Sequence, residues 1–404
     1  MGRSAIGGLL ACALALVLLG AVPVQPAGAQ AASHTYTYGQ LITFTVELPE
    51  AEGVGEVQLY LKINGTETRV QDVALTDHRA VYEQDLNAKP FPPYATLEYW
   101  WGYKDSSGTA HTTEKTSFRY EDNRYTWTSL QGTSVAIHWV AGTSALMTSA
   151  LDTAETALTE ARAQLGVGAQ DKVDLYIYPS LPDLQSALRL SGQTWVEGMA
   201  YPELGVLLVA VTPNDDAIVN LRRTIPHELA HKVLYEAAGS EGYNAQPKWL
   251  VEGLASYFEA SPDPAYALSL DEAHGSAKLL PLESLCYAFP GAAREQILAY
   301  AQSQSVVSYI EEQYGWSAVR ALVAAYGDGL GCRAGVEKAL GIDLSRLERD
   351  WRAWLDAEPA SPSTQPLWAA RARVMLSALA PWIVLLGVLM IPSLLLIIAR
   401  APRR

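Results

Sequence analysis

The stretch Thr224-Ile-Pro-His-Glu-Leu-Ala-His231 restricts the fold of this chain more than any other. His227 and His231 are separated by four positions, which on a helix places both imidazoles on one face, about one turn apart. Two imidazoles in that arrangement can hold the same metal ion. Glu228 follows the first histidine directly, so we expect it beside the metal without binding it, where a general base for a metal-bound water is needed.

A second predicted helix, from Pro247 to Ala260, carries a residue that can complete this site. Catalytic zinc usually takes three protein ligands and leaves the fourth position to water. The apolar residues of this helix recur at helical spacing and form one stripe: Leu250, Leu254, Tyr257 and Phe258. Glu252 lies off that stripe. We therefore predict Glu252 as the third ligand of one Zn²⁺ ion, with His227 and His231.

The residues around the histidines also favour a real helix. Thr224 can act as N-cap, and Pro226 can occupy the first turn, where its missing N–H costs nothing. Gly239 is a normal helix-ending residue. The alternative is a chance H-E-x-x-H match on an ordinary surface helix. A chain with 7 His in 404 residues would give on the order of 0.01 such matches by chance, so we favour the metal site.

His227-Glu-Leu-Ala-His231 followed by Trp249-Leu-Val-Glu-Gly-Leu-Ala-Ser-Tyr-Phe-Glu259 resembles the gluzincin metallopeptidases. Within that group the chain is most similar to the bacterial peptidase MA-like domain proteins. It also shares the Glu-Gly-(Leu/Phe)-Ala-Ser-Tyr motif of the membrane-alanyl aminopeptidases. The resemblance covers roughly residues 135–355. It implies a zincin-type catalytic domain with the same three zinc ligands and with Glu228 as base and proton shuttle.

Aminopeptidases of that clan also carry a Gly-x-Met-Glu-Asn-type motif ahead of the metal helix. The corresponding stretch here, Trp195-Val-Glu-Gly-Met-Ala-Tyr201, lacks it. The resemblance therefore implies hydrolysis of peptide bonds in a peptide or protein substrate, and we predict an endopeptidase.

Zincins often place a tyrosine or histidine where it can hold the oxyanion of the tetrahedral intermediate. Tyr300 and Tyr309, both on a helix predicted over residues 292–314, are candidates by position, and we assign Tyr309 to the site. His138 is a conceivable further metal residue. Its place in a predicted strand, distant in sequence from the motif, favours a structural role instead.

Residues 32–125 differ in character from the rest of the chain. Three stretches, 41–48, 57–63 and 97–103, show strand periodicity and are rich in strand-favouring residues. Asn64-Gly65 is a strong hairpin signal. We predict an antiparallel β-sandwich, immunoglobulin-like or fibronectin-like. The aromatic cluster in the third stretch could form a carbohydrate platform, but filling of the sandwich core is the favoured interpretation.

Residues 126–357 alternate between strand and helix patterns and then become mostly helical, so the chain as a whole is of the α+β class. The predicted strands and helices ahead of the metal helix are Val135–Val140, Ser144–Leu165, Val173–Tyr178, Leu181–Leu190 and Leu204–Val211. We expect a mixed sheet above the site and a helical lower half below it. The resemblance implies that the edge strand pairs with an extended substrate, and Leu204–Val211 or its neighbour is the candidate.

The two ends of the chain predict export and anchoring. Residues 1–31 have a short positive start, an apolar core and small residues at the end, as in a secretory signal peptide. A Pro/Ser-rich stalk, 358–373, precedes the segment 374–398, which has no formal charge and is long enough to span a bilayer. We predict a single-pass membrane protein with an extracytoplasmic catalytic domain and a cytoplasmic tail, 399–404.

Cys286 and Cys332 remain after removal of the signal peptide. An even pair in an oxidising compartment predicts a disulfide between them. Two unrelated buried thiols are the alternative. The net charge of −14 and the absence of a basic patch argue against nucleic acid as a partner.

A competing function is a binding or scaffold protein that acts through the β-sandwich and carries a catalytically idle zinc domain. The intact Glu228 argues against it, because an inactive domain does not need the base.

Overall fold

The structure is a computed structural model that describes residues 31–48, 56–105, 107–188 and 197–357. The chain forms two compact units, which divide between Arg124 and Tyr125. The predicted signal peptide up to residue 30, and the stalk, membrane segment and tail after residue 357, lie outside the described residues. None of the described helices is both long enough and apolar enough to cross a membrane.

Antiparallel strands build the N-terminal unit. They are β1 (Ala31–Thr37), β2 (Leu41–Glu47), β3 (Glu56–Ile63), β4 (Glu67–Thr76), β5 (Arg79–Asp85), β6 (Thr96–Lys104), β7 (Ala110–Thr112) and β8 (Thr116–Arg119). They pair in the order β1-β2-β5-β4-β3-β6-β7, and β8 pairs with β6. Asn64 and Gly65 both adopt positive φ, at 48° and 70°. This is the backbone that a tight hairpin requires, and it confirms the predicted turn between β3 and β4.

The N-terminal strands enclose a core. Phe44 of β2 and Tyr99 of β6 lie on strands that do not pair with each other, yet their ring centroids are 4.9 Å apart. The two halves of the sheet therefore face each other. Tyr99 and Trp101 are fully buried between them, as the core interpretation predicts. Trp100 points to the other face, where its ring stacks on Tyr60 at 5.3 Å.

A five-stranded mixed sheet begins the C-terminal unit. Its strands are β9 (Thr128–Gln131), β10 (Val135–Trp139), β11 (Val173–Tyr178), β12 (Gly198–Tyr201) and β13 (Val206–Ala210), in the order β12-β13-β11-β10-β9. β10, β11 and β13 are parallel, and the outer strands β9 and β12 pair antiparallel to their neighbours. The edge strand on the side of the metal helix is therefore β12, the neighbour of the predicted strand Leu204–Val211.

The C-terminal unit also contains eight described helices, of which the first three pack on the sheet. The eight are α1 (Ser144–Leu165), α2 (Leu181–Leu188), α3 (Ala217–Ala245), α4 (Lys248–Tyr257), α5 (Pro264–Gly275), α6 (Ala293–Gly327), α7 (Cys332–Leu340) and α8 (Leu344–Ala357). Buried residues of the central strands and of α1, α3, α4 and α6 share one apolar core. The sequence prediction omitted α5. This helix buries little apolar surface, and its Leu268 is 64% exposed, so it has no clear apolar stripe.

The helix that carries the histidines begins earlier than predicted. α3 starts at Ala217, two turns before Thr224, so Pro226 lies inside the helix rather than in its first turn. A proline there cannot donate a hydrogen bond to the carbonyl of Arg222. That carbonyl instead accepts a hydrogen bond from the N–H of Ala260 at 2.9 Å. The replacement partner allows the helix to continue through Pro226, and it ties the chain after α4 to α3.

Two glycines break the longest helices. Gly239 in α3 has φ 72° and ψ 173°, and Gly315 in α6 has φ 73° and ψ 170°. Both are conformations that other residues rarely adopt. Gly239 ends the straight part of α3 where the sequence predicts a helix end. Gly315 directly follows the helix predicted over residues 292–314.

The disulfide between Cys286 and Cys332 is present, with an S–S distance of 2.01 Å. It joins the segment before α6 to the start of α7. The carbonyl of Cys286 also accepts a hydrogen bond from the backbone N–H of Lys248 at 2.8 Å. The disulfide-bonded segment therefore holds the first residue of α4.

Candidate metal centre

The three predicted ligands converge at one point. His227 and His231 project from α3 and Glu252 from α4, and their ligating atoms all lie within 4.8 Å of one another. Oε2 of Glu252 is 3.4 Å from Nε2 of His227 and 3.8 Å from Nε2 of His231. A tetrahedral ion with bonds of about 2.0–2.2 Å separates its ligand atoms by about 3.3–3.6 Å. The first distance lies in this range and the second exceeds it by about 0.2 Å, so the donor set is compatible with a zinc ion.

Each histidine is oriented from behind by a second residue. Nδ1 of His227 lies 3.0 Å from Oε1 of Glu259, and Nδ1 of His231 lies 3.2 Å from the hydroxyl of Tyr243. Because both Nδ1 atoms are engaged, each ring presents Nε2 to Glu252. Such outer partners commonly fix the tautomer and ring orientation of metal-binding histidines.

The sequence prediction missed both partners. Glu259 follows Glu252 by seven positions, which within the helix predicted to Ala260 places both on one face, and this spacing is the signal that could have found it. Tyr243 reaches His231 only because the chain turns at Gly239, and no local pattern indicates that contact.

The buried charges make the two histidines unequal. Burial lowers the pKa of His227, but its hydrogen bonds to Glu252 and Glu259 outweigh burial and raise that pKa to about 10. Burial lowers the pKa of His231 to about 4. His231 is therefore neutral at physiological pH. The raised pKa of His227 follows from its place between two carboxylates, Glu252 and Glu259.

Glu228 lies beside the ligands and is 7% exposed. Burial is the main cause that raises its pKa, to about 7. The charge of His227 and a hydrogen bond from the backbone of Ala200 act against this rise, while the charge of Glu252 adds to it. A carboxyl group with a pKa near neutrality can both accept and return a proton at physiological pH.

Gly198, on the edge strand β12, leaves the space that Glu228 occupies. A Cβ at position 198 would lie 2.3 Å from Oε1 of Glu228 and 2.9 Å from its Cγ. Any larger residue would therefore displace the carboxyl group. A glycine within a strand is a general signal for a close approach, but the sequence prediction used the stretch 195–201 only to argue that the aminopeptidase motif is absent.

Lys248 contacts the third ligand from the first turn of α4. Its Nζ is 2.5 Å from Oε1 of Glu252, and the two residues are four positions apart on the helix. Burial raises the pKa of Glu252, but the nearby His231, His227 and Lys248 outweigh it and bring that pKa below its usual range. Glu252 therefore stays ionised. The sequence prediction missed Lys248, although i,i+4 Lys/Glu pairing is a known helix pattern.

Of the two tyrosine candidates, the structure brings Tyr300 to the site and not Tyr309. The ring centroid of Tyr300 is 6.2 Å from that of His227. Burial, followed by the charge of Glu252, raises the pKa of Tyr300 well above its ordinary value, so the hydroxyl keeps its proton. Tyr309 packs instead against Tyr314 and Trp354, at 6.2 and 5.8 Å between centroids.

His138 is held within the sheet. Its Nε2 lies 3.0 Å from Oδ1 of Asp174, and its Nδ1 lies 2.9 Å from Oγ of Ser129. Within the part of the chain that the structure describes, it does not belong to the cluster of His227, His231 and Glu252 that could hold a metal. This is the structural role that the sequence favours.

Comparison with solved structures finds similar chains. An M1 zinc metallopeptidase from Deinococcus radiodurans is 15% identical over 79% of this chain and 92% of its own, with a TM-score of 0.36. An aminopeptidase N family protein from Idiomarina loihiensis is 10% identical over 80% of this chain and 76% of its own, with a TM-score of 0.42. A β-1,3-glucan-binding module of carbohydrate-binding family 56 is 16% identical over 22% of this chain and 98% of its own, at a TM-score of 0.18.

At these identities and scores the similarities assign no function to this chain. No curated protein matches it. The model of the peptidase MA superfamily matches residues 153–357, just over half of the chain. The matched range contains Glu228 and all three predicted ligands. As the H-E-x-x-H stretch and the glutamate that follows it predict, the chain belongs to the peptidase MA superfamily.

Proposed function

We propose that this protein is a zinc-dependent metallopeptidase that hydrolyses peptide bonds. The observation that carries the proposal is the convergence of His227, His231 and Glu252 around one point, with the buried Glu228 beside them. Three protein ligands leave one position for water, as in catalytic rather than structural zinc sites. Zinc, when bound, would lower the pKa of a coordinated water and polarise the scissile carbonyl.

The chain's own residues would move the protons. Glu228 takes a proton from the attacking water and delivers it to the leaving amine, and its pKa of about 7 suits both steps. Gly198 and the backbone of Ala200 hold the carboxyl group in place. Glu228 and Glu252 are both largely buried, which limits their contact with bulk water.

We assign oxyanion stabilisation to Tyr300 in place of Tyr309. A donor for the developing oxyanion must keep its proton and lie close to the metal ligands. Tyr300 meets both conditions, because its pKa is raised and its ring lies beside His227. Tyr266 and Phe289 pack around its ring and support its position.

The edge strand β12 would bind the substrate. β12 pairs with β13 on one side, and within the described residues its other side has no strand partner. An extended peptide can add to such an edge through backbone hydrogen bonds. The missing Gly-x-Met-Glu-Asn-type motif in residues 195–201 supports endopeptidase rather than aminopeptidase action.

We further propose that the protein is exported and anchored by one membrane helix. The support comes from the signal-like residues 1–31 and the uncharged segment 374–398. The disulfide Cys286–Cys332 is what an oxidising compartment favours. The catalytic domain would then lie outside the cytoplasm and the arginine-rich end of the chain inside.

The decisive experiment combines metal content with peptide hydrolysis for the full chain in detergent. We expect about one zinc per wild-type chain, loss of zinc in Glu252→Ala, and retained zinc without hydrolysis of a peptide library in Glu228→Gln. A folded wild type without zinc would refute the metallopeptidase proposal. If Glu228→Gln preserved the biological activity of the protein, the alternative of an idle scaffold would hold instead.

A further inference from the structure

The two oxygen atoms of Glu252 have different partners. Oε2 faces Nε2 of His227 at 3.4 Å and Nε2 of His231 at 3.8 Å. Oε1 lies 2.5 Å from Nζ of Lys248. The carboxylate is therefore divided between a metal-facing oxygen and an oxygen already engaged by a cation.

Lys248 is placed for this contact by the fold around it. It is the first residue of α4, four positions before Glu252, so both side chains lie on one face of the helix. Its backbone N–H donates to the carbonyl of Cys286, which the disulfide holds. The lysine side chain is 41% exposed, whereas that of Glu252 is 6% exposed. The Lys248 side chain is thus partly in contact with solvent, while its ammonium group contacts a buried carboxylate.

We propose that Lys248 is a positioning residue of the metal centre, which occupies Oε1 of Glu252 so that this glutamate binds the ion through Oε2 alone. The inference rests on the proposed zinc site. It adds one condition to the three ligands and the base: one carboxylate oxygen of Glu252 must be kept from the metal.

Coordination chemistry gives the reason. A carboxylate can bind a cation through one oxygen or through both, and a catalytic zinc site needs a position left open for water. If Oε1 were free, it could compete with water for that position. Hydrogen bonds between an ammonium and a carboxylate are short and stronger than neutral ones. The contact with Lys248 therefore opposes a rotation of the carboxylate that would bring Oε1 to the ion.

The positive charge of Lys248 also favours a catalytic metal site. Glu252 brings one negative charge to the ion, which a site of three neutral histidines would not. The ammonium at 2.5 Å offsets that charge. Lys248 would thereby leave a bound ion better able to polarise water and a carbonyl group.

The test uses cobalt in place of zinc in the full chain, because the visible spectrum of Co²⁺ separates four-coordinate from five-coordinate sites. We expect the intense four-coordinate bands in the wild type and in Lys248→Arg, which keeps the positive charge of the side chain. Lys248→Met should lose that intensity while still binding the ion, and its kcat/KM as the zinc form should fall about 10–100-fold. Lys338→Met, which removes an exposed lysine on α7, is the matched control and should resemble the wild type.

A wild-type cobalt spectrum in Lys248→Met would overturn the inference, as would a spectrum of Lys248→Arg as altered as that of Lys248→Met. Circular dichroism establishes that each variant is folded, and Lys248→Gln replaces the methionine variant if that one is not. A folded wild type that binds no cobalt would refute the proposed zinc site itself. Cobalt binding with an unchanged Lys248→Met would refute only the role of Lys248.

Discussion

Gly198→Ala tests whether the position of Glu228 limits the reaction. The added Cβ would lie 2.3 Å from Oε1, 2.8 Å from Cδ and 2.9 Å from Cγ of Glu228. Carbon and oxygen atoms that are not bonded need roughly 3.3 Å or more. The carboxyl group must therefore move by about 1 Å. The strand itself accepts alanine, because Gly198 does not have positive φ and β12 is an edge strand.

The expected magnitude follows from this displacement. A misplacement of about 1 Å at a reacting group can lower a rate about 10²-fold. The metal ligands are untouched, so zinc content should stay at the wild-type level. Because the atoms that meet the new Cβ belong to a side chain that can rotate, the free energy of unfolding should change by no more than about 1–3 kcal/mol.

The assay compares kcat/KM for a peptide substrate, zinc content and the thermal midpoint between wild type and Gly198→Ala. Gly168→Ala is the control, because a Cβ at position 168 meets no atom within 4 Å. If Gly198→Ala kept activity within about threefold of the wild type while binding zinc, Glu228 would not be the group whose position limits the rate, and the reasoning would fail.

Three further outcomes concern the charges of the C-terminal unit. Arg162→Met leaves Glu236, whose side chain is 4% exposed, without its bidentate partner but with Lys232 still at 3.4 Å, and should cost about 1–3 kcal/mol in urea unfolding, whereas Arg162→Met with Glu236→Leu should recover most of that loss. The pKa of Glu228 is raised from 4.5 to about 7, so the stability contribution of its proton is complete below pH 4.5 and is lost as pH rises through 7. Glu228→Gln should therefore raise the melting temperature of the zinc-free protein at pH 8 and change it little at pH 4.5; an equal effect at both pH values would contradict this. Glu259→Ala should weaken zinc binding about 10–100-fold, measured by chelator competition, because His227 loses the partner that orients it.

The elements that follow from local periodicity could be predicted from the sequence. The spacing of His227 and His231 fixes their common face on any helix, so their convergence needed no tertiary information. The start of α3 could not be predicted, because Pro226 normally marks a first turn. What allows the helix to pass through Pro226 is the bond from Ala260 to Arg222, a contact between residues distant in sequence.

The choice between the two tyrosines shows the same limit. Tyr300 and Tyr309 are nine positions apart on α6, which at 100° per residue places them on opposite faces of the helix. The sequence therefore indicates that Tyr300 and Tyr309 cannot both contribute to one site. Which face of α6 lies toward the metal ligands depends on how α6 packs against α4. The apolar residues of α6 do not distinguish the two tyrosines, since both have aromatic neighbours.

The groups proposed to hold the ion lie in one continuous stretch of the chain, residues 227–259, which also contains Tyr243, Glu259 and Lys248. Only a short loop must close to bring them together, at little entropic cost. Gly198 and Tyr300 come from strands and helices on either side of that stretch in sequence. The proposed metal ligands thus come from two consecutive helices, α3 and α4, whereas Gly198 beside the base and the candidate oxyanion donor Tyr300 come from β12 and α6. A substitution outside residues 227–259 can therefore impair the proposed reaction while every proposed metal ligand is retained.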